Sequence, residues 1–214
     1  GITQFPQAGI LGSSYSQSTE SLGNIDSQGW FQMEDYFKRA MVNTLFFTSA
    51  TVIRKFFFLE NPGFDRELSR GEDLDVWFRT VLFFGKPVYS FSKLVYYSQE
   101  DEVQATNRVF PVGSALVSKI LRDDYFFASR SIDWKDFELF RKRYVYFNLF
   151  PYLRDPKNDG TAKQLLEKMA GTDLLLRLVY LPPFEMLRGI LRYSWGKNLV
   201  RNYLKFCLRY IYRA

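Results

Sequence analysis

Three carboxylates and an arginine lie close together in the stretch SRGEDLDVWFR, residues 69–79. Glu72, Asp73 and Asp75 fall within four positions, and an apolar, aromatic run then leads to Arg79. A carboxylate that faces a cleft can accept a proton as a general base. Acids at the start of a helix also offset the positive end of its dipole, and an i, i+4 pair such as Asp75 with Arg79 adds roughly 0.3 kcal/mol. The spacing alone leaves both interpretations open.

The sequence Asp73-Leu74-Asp75 suggests a third interpretation, a metal site, which helical geometry disfavours. Residues two apart in an α-helix point about 200° from one another, at roughly 100° per residue. The two carboxylates therefore cannot close on one ion. We expect no metal site in this chain.

The chain contains no histidine and a single cysteine, Cys207. Without histidine it lacks the commonest general base and transition-metal ligand, and every Ser-His or Cys-His nucleophilic arrangement is excluded. One cysteine cannot form an internal disulfide or a thiolate zinc site, which favours a reducing compartment. Any acid-base chemistry therefore depends on carboxylates.

The composition indicates a folded chain whose early part mixes strands and helices. Of its 214 residues, 47% are hydrophobic and 19% are aromatic, which is typical of a packed core rather than of disorder. Apolar and β-branched runs predict a strand over 7–15, a strand or tight apolar segment over 45–53, and one or two strands over 87–97. Apolar residues at helical spacing predict helices over 30–42, 54–60 and 72–85.

The strand patterns end near residue 110, and beyond it the apolar spacing is helical. We therefore place a domain boundary there. We expect an α/β fold in which residues 1–110 form a partial mixed sheet with flanking helices. Residues 111–214 are expected to form an all-helical C-terminal extension that ends in a basic amphipathic tail.

Five short sequence elements between residues 45 and 100 occur in a distinctive order. The first two are a small-residue segment (Thr48 to Ala50) and a basic pair (Arg54 and Lys55). A Gly-Phe-Asp turn (Gly63 to Asp65), a Gly-Glu-Asp motif that opens a helix (Gly71 to Asp73) and an arginine in that helix (Arg79) follow. In this order and spacing the chain resembles the second half of the family 2 glycosyltransferases. The resemblance covers about residues 5–100, and it implies a sheet of the GT-A type.

The resemblance also implies roles for individual residues. Asp73 corresponds to the catalytic base of an inverting sugar transfer from a nucleotide-sugar donor to a saccharide or lipid-linked saccharide acceptor. Glu72 is implied to position the acceptor, and Asp75 and Arg79 are expected to hold the helix. The other residues implied to bind substrate are Thr48, Ser49, Ala50 and Gly71.

The family also uses a divalent metal, Mg²⁺ or Mn²⁺, which an Asp-x-Asp pair in its nucleotide-binding half holds against the diphosphate. Nothing before Gln7 resembles that half. We therefore expect this chain to be the acceptor-side portion of a longer transferase, inactive by itself, with most metal ligands outside it. The alternative is a natural stand-alone protein, whose sheet would have an open edge.

The last part of the chain is strongly basic, although the rest is nearly neutral. The net charge is +6, and the segment from Met186 to Ala214 carries +7 with no acid, so the remaining residues sum to −1. Aromatic and aliphatic residues are interleaved with the basic ones. The basic residues are Arg188, Arg192, Lys197, Arg201, Lys205, Arg209 and Arg213.

Three interpretations fit this tail: an interfacial helix on anionic lipid, a terminal helix packed on the domain, and a nucleic-acid-binding segment. The resemblance favours the membrane surface over nucleic acid, because many enzymes of the family act on lipid-linked or cell-surface saccharides. The longest uncharged apolar stretch, Ala40 to Ile53, has fourteen residues, fewer than the roughly 20 that span a bilayer. We therefore expect a cytoplasmic protein held peripherally on the inner face of the membrane.

A hypothesis of a different class also stays open. The chain would then be a non-catalytic membrane-surface or interaction module, and its three adjacent acids would only start a helix. The two hypotheses differ in whether Asp73 is needed for sugar transfer.

Overall fold

The computed structural model describes residues 1–41, 43–98, 110–122, 125, 134–169, 171 and 173–213. These residues form two compact units. The first contains residues 1–66 and 72–98 together with Tyr125 and Trp134, and the second contains residues 67–71, 110–122 and the described chain from 135 onward. The boundary predicted near residue 110 adjoins residues 99–109, which lie outside the described residues, and it stays a prediction.

The first unit is mixed α/β and is built on a four-stranded sheet of order β2-β4-β1-β3. The two central strands, β1 and β4, run parallel, with Leu11 opposite Val88. Each outer strand is antiparallel to its neighbour, β3 to β1 and β2 to β4. The strands are β1 (Ile10–Ser16), β2 (Trp30–Gln32), β3 (Thr51–Ile53) and β4 (Val88–Tyr96).

Three helices accompany this sheet: α1 (Tyr36–Ala40), α2 (Lys55–Glu60) and α3 (Glu72–Phe84). Every residue of α3 from Asp75 to Phe83 is buried, so this helix lies in the core of the unit. Its Val76 and Phe83 pack against Phe57 of α2. The first turn of α3 is less deeply buried, which leaves its leading acids accessible.

Aromatic rings pack directly against glycines at β1. A Cβ atom added to Gly12 would lie 2.2 Å from Cδ1 of Phe46, and one added to Gly9 would lie 2.1 Å from Cδ2 of Phe84. Real Cβ atoms do not approach other atoms so closely. The two glycines therefore allow the rings to contact the backbone itself.

Most of the predicted elements of this unit are confirmed, with two corrections. The predicted helix over 30–42 is wrong at its start, because Trp30–Gln32 pairs with β4 as an edge strand and the helix begins only at Tyr36. Backbone pairing to the sheet outweighs the helical spacing of the apolar residues there. The strand predicted over 45–53 is confined to Thr51–Ile53 and follows a 3₁₀ turn, Thr48–Ala50.

The regular secondary structure of the second unit is helical in its described residues, apart from a single bridge between Arg70 and Ala115. An ion pair between Arg143 and Asp173, 3.1 Å long, joins distant parts of the chain. The helices are α4 (Leu116–Lys119), α5 (Trp134–Leu149), α6 (Asp159–Lys168), α7 (Leu174–Arg177), α8 (Phe184–Leu191) and α9 (Ser194–Phe206), the last continued by a π-helical turn, Cys207–Ile211. Within the described parts of the chain, no helix combines the length and apolarity needed to cross a membrane.

Candidate functional site

The first turn of α3 presents Asp73, and the 3₁₀ turn at Thr48 lies against it. Thr48 Oγ1 donates a hydrogen bond of 2.9 Å to Asp73 Oδ2, and the backbone N–H of Leu74 donates one of 2.7 Å to Oδ1. Asp73 is half-buried and Thr48 is exposed. Thr48 and Asp73 are 25 residues apart in the sequence, and the resemblance implies that both belong to the substrate site. A direct hydrogen bond between their side chains joins the two segments.

Two hydrogen bonds to the Phe47 carbonyl fix the turn that carries Thr48. The N–H of Ala50 and the hydroxyl of Thr51 both donate to the carbonyl of Phe47, at 2.8 and 2.7 Å. Ser49 is exposed in this turn and Ala50 is half-buried. The turn therefore holds the Thr48 hydroxyl in position without help from a substrate.

Gly71, directly before α3, has a conformation that other residues rarely adopt. Its φ is +83°, in the left-handed region. A Cβ atom there would also lie 2.8 Å from Cβ of Leu116. The chain therefore needs glycine at the point where it turns into the helix, and Glu72, half-buried, is the first helical residue.

Asp75 and Arg79 lie in a buried network. Asp75 is fully buried, and its Oδ2 accepts from Arg79 Nε at 3.0 Å and from Nη2 at 2.7 Å. Its Oδ1 accepts from the hydroxyl of Tyr125 at 2.6 Å. Arg79 also donates to the carbonyls of Pro62 and Gly63, at 2.6 and 2.7 Å. The network ties the loop before α3 to the helix, so removing either partner would leave a buried charge without its counter-charge, which costs far more than the loss of an exposed i, i+4 pair.

The donor set in this region does not fit a divalent metal. Asp75 is committed to Arg79 and Tyr125 inside the core, whereas Asp73 lies at the surface with Thr48. No group of three or more Asp, Glu, His or Cys side chains suited to a metal occurs among the described residues. These carboxylates therefore do not form a metal-binding site in the described part of the chain.

A buried tyrosine lies near the Asp73 carboxylate. Burial raises the pKa of Tyr36 well above its ordinary value of 10.0, and the negative charge of Asp73 raises this pKa further. The Tyr36 phenol therefore stays protonated in the neutral pH range. It adds a neutral dipole beside Asp73 rather than a second base.

Three aromatic rings, which sequence reasoning did not single out, cluster beside the Thr48 turn. Tyr15, Phe47 and Tyr97 are in mutual contact, with ring centroids 4.7 to 5.7 Å apart. Tyr15 is exposed and the other two rings are half-buried. Tyr15 and Tyr97 lie at the carboxyl ends of β1 and β4, where parallel strands commonly place ligand sites. We call these three rings the aromatic cluster.

All seven basic residues assigned to the membrane surface are at least partly exposed. Arg192, Arg201, Arg209 and Arg213 are exposed, and Lys197 and Lys205 are half-buried. Arg188 departs from the expectation, because its Nη1 and Nη2 lie 2.9 and 3.1 Å from the two carboxylate oxygens of Asp159. Its charge is neutralised inside the unit, where it links α8 to α6.

Comparison of the chain with protein-family models, with curated proteins and with solved structures gave no match.

Proposed function

We propose that the first unit is the acceptor-side part of an inverting glycosyltransferase with a GT-A fold. Its substrates would be a nucleotide sugar and a saccharide or lipid-linked saccharide acceptor. The observation that carries the proposal is the hydrogen bond between Thr48 and Asp73, which joins the two segments that the resemblance assigns to the acceptor pocket. The motif order and this contact are separate observations, because the first concerns the order of residues in the sequence and the second a contact in the three-dimensional structure.

In this proposal Asp73 is the general base. As the acceptor hydroxyl oxygen bonds to the anomeric carbon, its proton passes to the Asp73 carboxylate. The bond from that carbon to the diphosphate oxygen breaks, and the electron pair leaves with the nucleoside diphosphate. Attack opposite the leaving group inverts the configuration of the anomeric carbon.

The surroundings of Asp73 suit this role. Each carboxylate oxygen accepts one hydrogen bond, from Thr48 or from Leu74 N–H, and keeps a further lone pair for an incoming hydroxyl. The two donors fix the carboxylate rotamer before substrate binds, which lowers the entropy cost of reaching the reactive geometry. Glu72, one residue earlier and half-buried, is proposed to bind a second acceptor hydroxyl.

The aromatic cluster supports a saccharide as the ligand. A pyranose ring has an apolar face of C–H groups that packs on an aromatic face, while its hydroxyls need polar partners at the rim. Tyr15 offers an exposed ring and Thr48 and Asp73 offer polar atoms, with Phe47 adjacent to Thr48 in the chain. We propose that the aromatic cluster packs against the acceptor.

Sugar transfer by the protein as its gene encodes it tests the proposal. Release of nucleoside diphosphate is measured over a panel of nucleotide sugars and acceptors, and Asp73→Asn is expected to lower the rate by about 10²- to 10⁴-fold, the usual contribution of a general base. Asp35→Asn is the matched control, because Asp35 is another solvent-accessible aspartate at the start of a helix. It should retain the wild-type rate.

The Thr48 contact is tested in the same assay. Thr48→Val keeps the shape but removes the donor and is expected to lower kcat about 5- to 10-fold, the equivalent of one hydrogen bond. Thr48→Ser restores the hydroxyl and should recover most of the rate. Transfer by Asp73→Asn at more than about a tenth of the wild-type rate would contradict the proposal.

A non-catalytic membrane-surface module is the second candidate, and the exposed basic tail favours it. Under this alternative Asp73→Asn changes neither folding nor any interaction of the chain. Loss of sugar transfer in that variant, with unchanged folding, therefore separates the two candidates. In either case we propose a location at the inner face of the cytoplasmic membrane.

A further inference from the structure

Along one face, helix α9 and the π-helical turn after it pack against the rest of the second unit. Val200, Leu204, Cys207 and Leu208 are buried there. Tyr203 and Tyr212 anchor the same segment, because the Tyr203 hydroxyl donates to the Leu175 carbonyl at 3.0 Å and the Tyr212 hydroxyl accepts from the Leu175 N–H at 3.1 Å. The apolar side expected to meet lipid is thus largely occupied by protein.

A second line of large apolar side chains on the same segment remains exposed. The exposed fractions are 60% for Trp195, 59% for Leu199, 53% for Phe206 and 70% for Tyr210. Spacings of four, seven and four residues put these side chains on one side of a helix. We call these four residues the exposed stripe. It runs along a helix surface rather than into a cleft, over a length of about 22 Å at 1.5 Å per residue.

A line of basic residues accompanies the exposed stripe. Lys197, Arg201, Lys205 and Arg209 recur every four residues. At about 100° per residue this basic stripe runs between the packed face and the exposed stripe, with Lys197 at the border of the packed face. Within the described chain none of the four forms an ion pair with an acid, in contrast to Arg188. Their charge is available to an external partner.

An anionic bilayer surface fits both lines of side chains. Tryptophan and tyrosine favour the boundary between headgroups and acyl chains, and each Lys or Arg near an anionic surface adds about 1 kcal/mol of attraction. We infer that α9 and its π-helical turn dock the second unit on anionic lipid. The exposed stripe enters the interface, the basic stripe meets the headgroups, and the packed face keeps the helix attached. This inference is independent of the proposed sugar transfer.

Vesicle sedimentation of the whole chain tests the electrostatic part. The chain is expected to bind phosphatidylcholine vesicles that contain about 30% phosphatidylserine and to bind pure phosphatidylcholine at least about 10-fold more weakly. Replacing Lys197, Arg201, Lys205 and Arg209 by Gln should weaken binding to the anionic vesicles at least about 100-fold. The matched control replaces four exposed basic residues elsewhere in the unit by Gln, with the same change in net charge: Arg154, Lys157, Lys163 and Lys168. It should bind nearly as the wild type does.

The exposed stripe has a test of its own. Trp195→Ala with Phe206→Ala is expected to weaken binding to the anionic vesicles at least about 10-fold. Leu174→Ala with Leu181→Ala, which removes two other exposed side chains of the unit, should leave it unchanged. Trp195 fluorescence should shift to shorter wavelength on vesicle addition, and Trp195→Phe should abolish that shift.

Three results would overturn the inference. One is equal loss of binding in the two four-residue charge variants, since net charge alone would then be responsible. Another is vesicle binding that the Trp195 and Phe206 substitutions leave unchanged. The third is binding to an oligonucleotide that is steeply salt-dependent and is lost with the basic stripe, while vesicles are not bound.

Discussion

Asp73 and Asp75 are only two residues apart in the sequence, yet their environments differ. Asp73 is half-buried near the surface, whereas Asp75 is fully buried in the core. Asp75 is enclosed by Arg79 and Tyr125, and every hydrogen bond it makes is internal. Asp73 shares its oxygens with Thr48 and its own helix start, at a half-buried position. Removal of a buried, paired carboxylate leaves its partner's charge uncompensated in the core, whereas an accessible carboxylate with free lone pairs is suited to chemistry.

This difference predicts effects of very different size on the stability of the two variants. Asp75→Ala should lower the free energy of unfolding by about 3–5 kcal/mol, because it leaves the Arg79 guanidinium buried without its counter-charge. Asp73→Asn should change it by less than about 1 kcal/mol, the size of a helix-dipole effect. Urea unfolding followed by circular dichroism measures both. Equal stability losses in the two variants would contradict the separation of roles.

At the residue scale the sequence predicts the Asp75–Arg79 pair but not its burial. The pair follows from four-residue spacing, but Tyr125 is 50 residues from Asp75, and no local pattern indicates that contact. The aromatic cluster was missed for the same reason. A signal was available, because Tyr15 and Tyr97 each end a predicted strand, but it becomes specific only once β1 and β4 are known to be parallel neighbours.

At the scale of elements, the position of β1 in the sheet depends on its glycines. Phe46 lies on Gly12 where any larger residue would place a Cβ atom inside van der Waals distance of the ring. The same ring contacts Tyr36, 5.6 Å between centroids, so that it connects the strand to α1. The Phe46 ring thus links Gly12 to Tyr36, the buried tyrosine near Asp73.

We expect Gly12→Ala to lower the free energy of unfolding by about 1–3 kcal/mol through overpacking. Combination with Phe46→Leu should cost less than the sum of the two single changes, because the smaller side chain makes room for the methyl group. Gly63→Ala is the control, since its added Cβ meets open space. Additive effects in the double variant would show that Phe46 is not the obstacle.

The elements that sequence patterns predicted well are those with a single dominant signal. The helix α3 has a glycine start, acids in its first turn and apolar spacing throughout, and all three agree. At Trp30–Gln32 the helical spacing competed with pairing to β4, a contact nearly 60 residues away, and the pairing prevailed. Tertiary hydrogen bonding at a sheet edge leaves little trace in a short window of sequence.

At the scale of the whole molecule, the absence of histidine removes the usual source of pH sensitivity between about pH 5 and pH 8. Sensitivity at high pH is expected instead, because each unit encloses a tyrosine. Burial raises the pKa of Tyr36 in the first unit and of Tyr180 in the second well above the ordinary value of 10.0. In the unfolded chain both phenols ionise near that ordinary value.

The free energy of unfolding should therefore fall as the pH rises above 10, by up to about 1.4 kcal/mol per pH unit for each such tyrosine. Below pH 10 both states keep the phenolic proton, and the contribution is fully present. Tyr36→Phe should flatten this dependence for the first unit, and Tyr210→Phe, an exposed position, should not. Urea unfolding midpoints between about pH 9 and about pH 11 measure the slopes. Equal slopes in wild type and Tyr36→Phe would contradict the expectation.

The chain's only thiol lies on the packed face of its last helical segment, with no exposed surface. A thiol reagent can reach Cys207 only when that segment opens, so the rate of modification counts opening events. The molecule thus contains its own kinetic reporter, and no cysteine has to be introduced or removed to use it. Modification rates with and without lipid distinguish a helix that stays packed on the protein from one that leaves it for the bilayer.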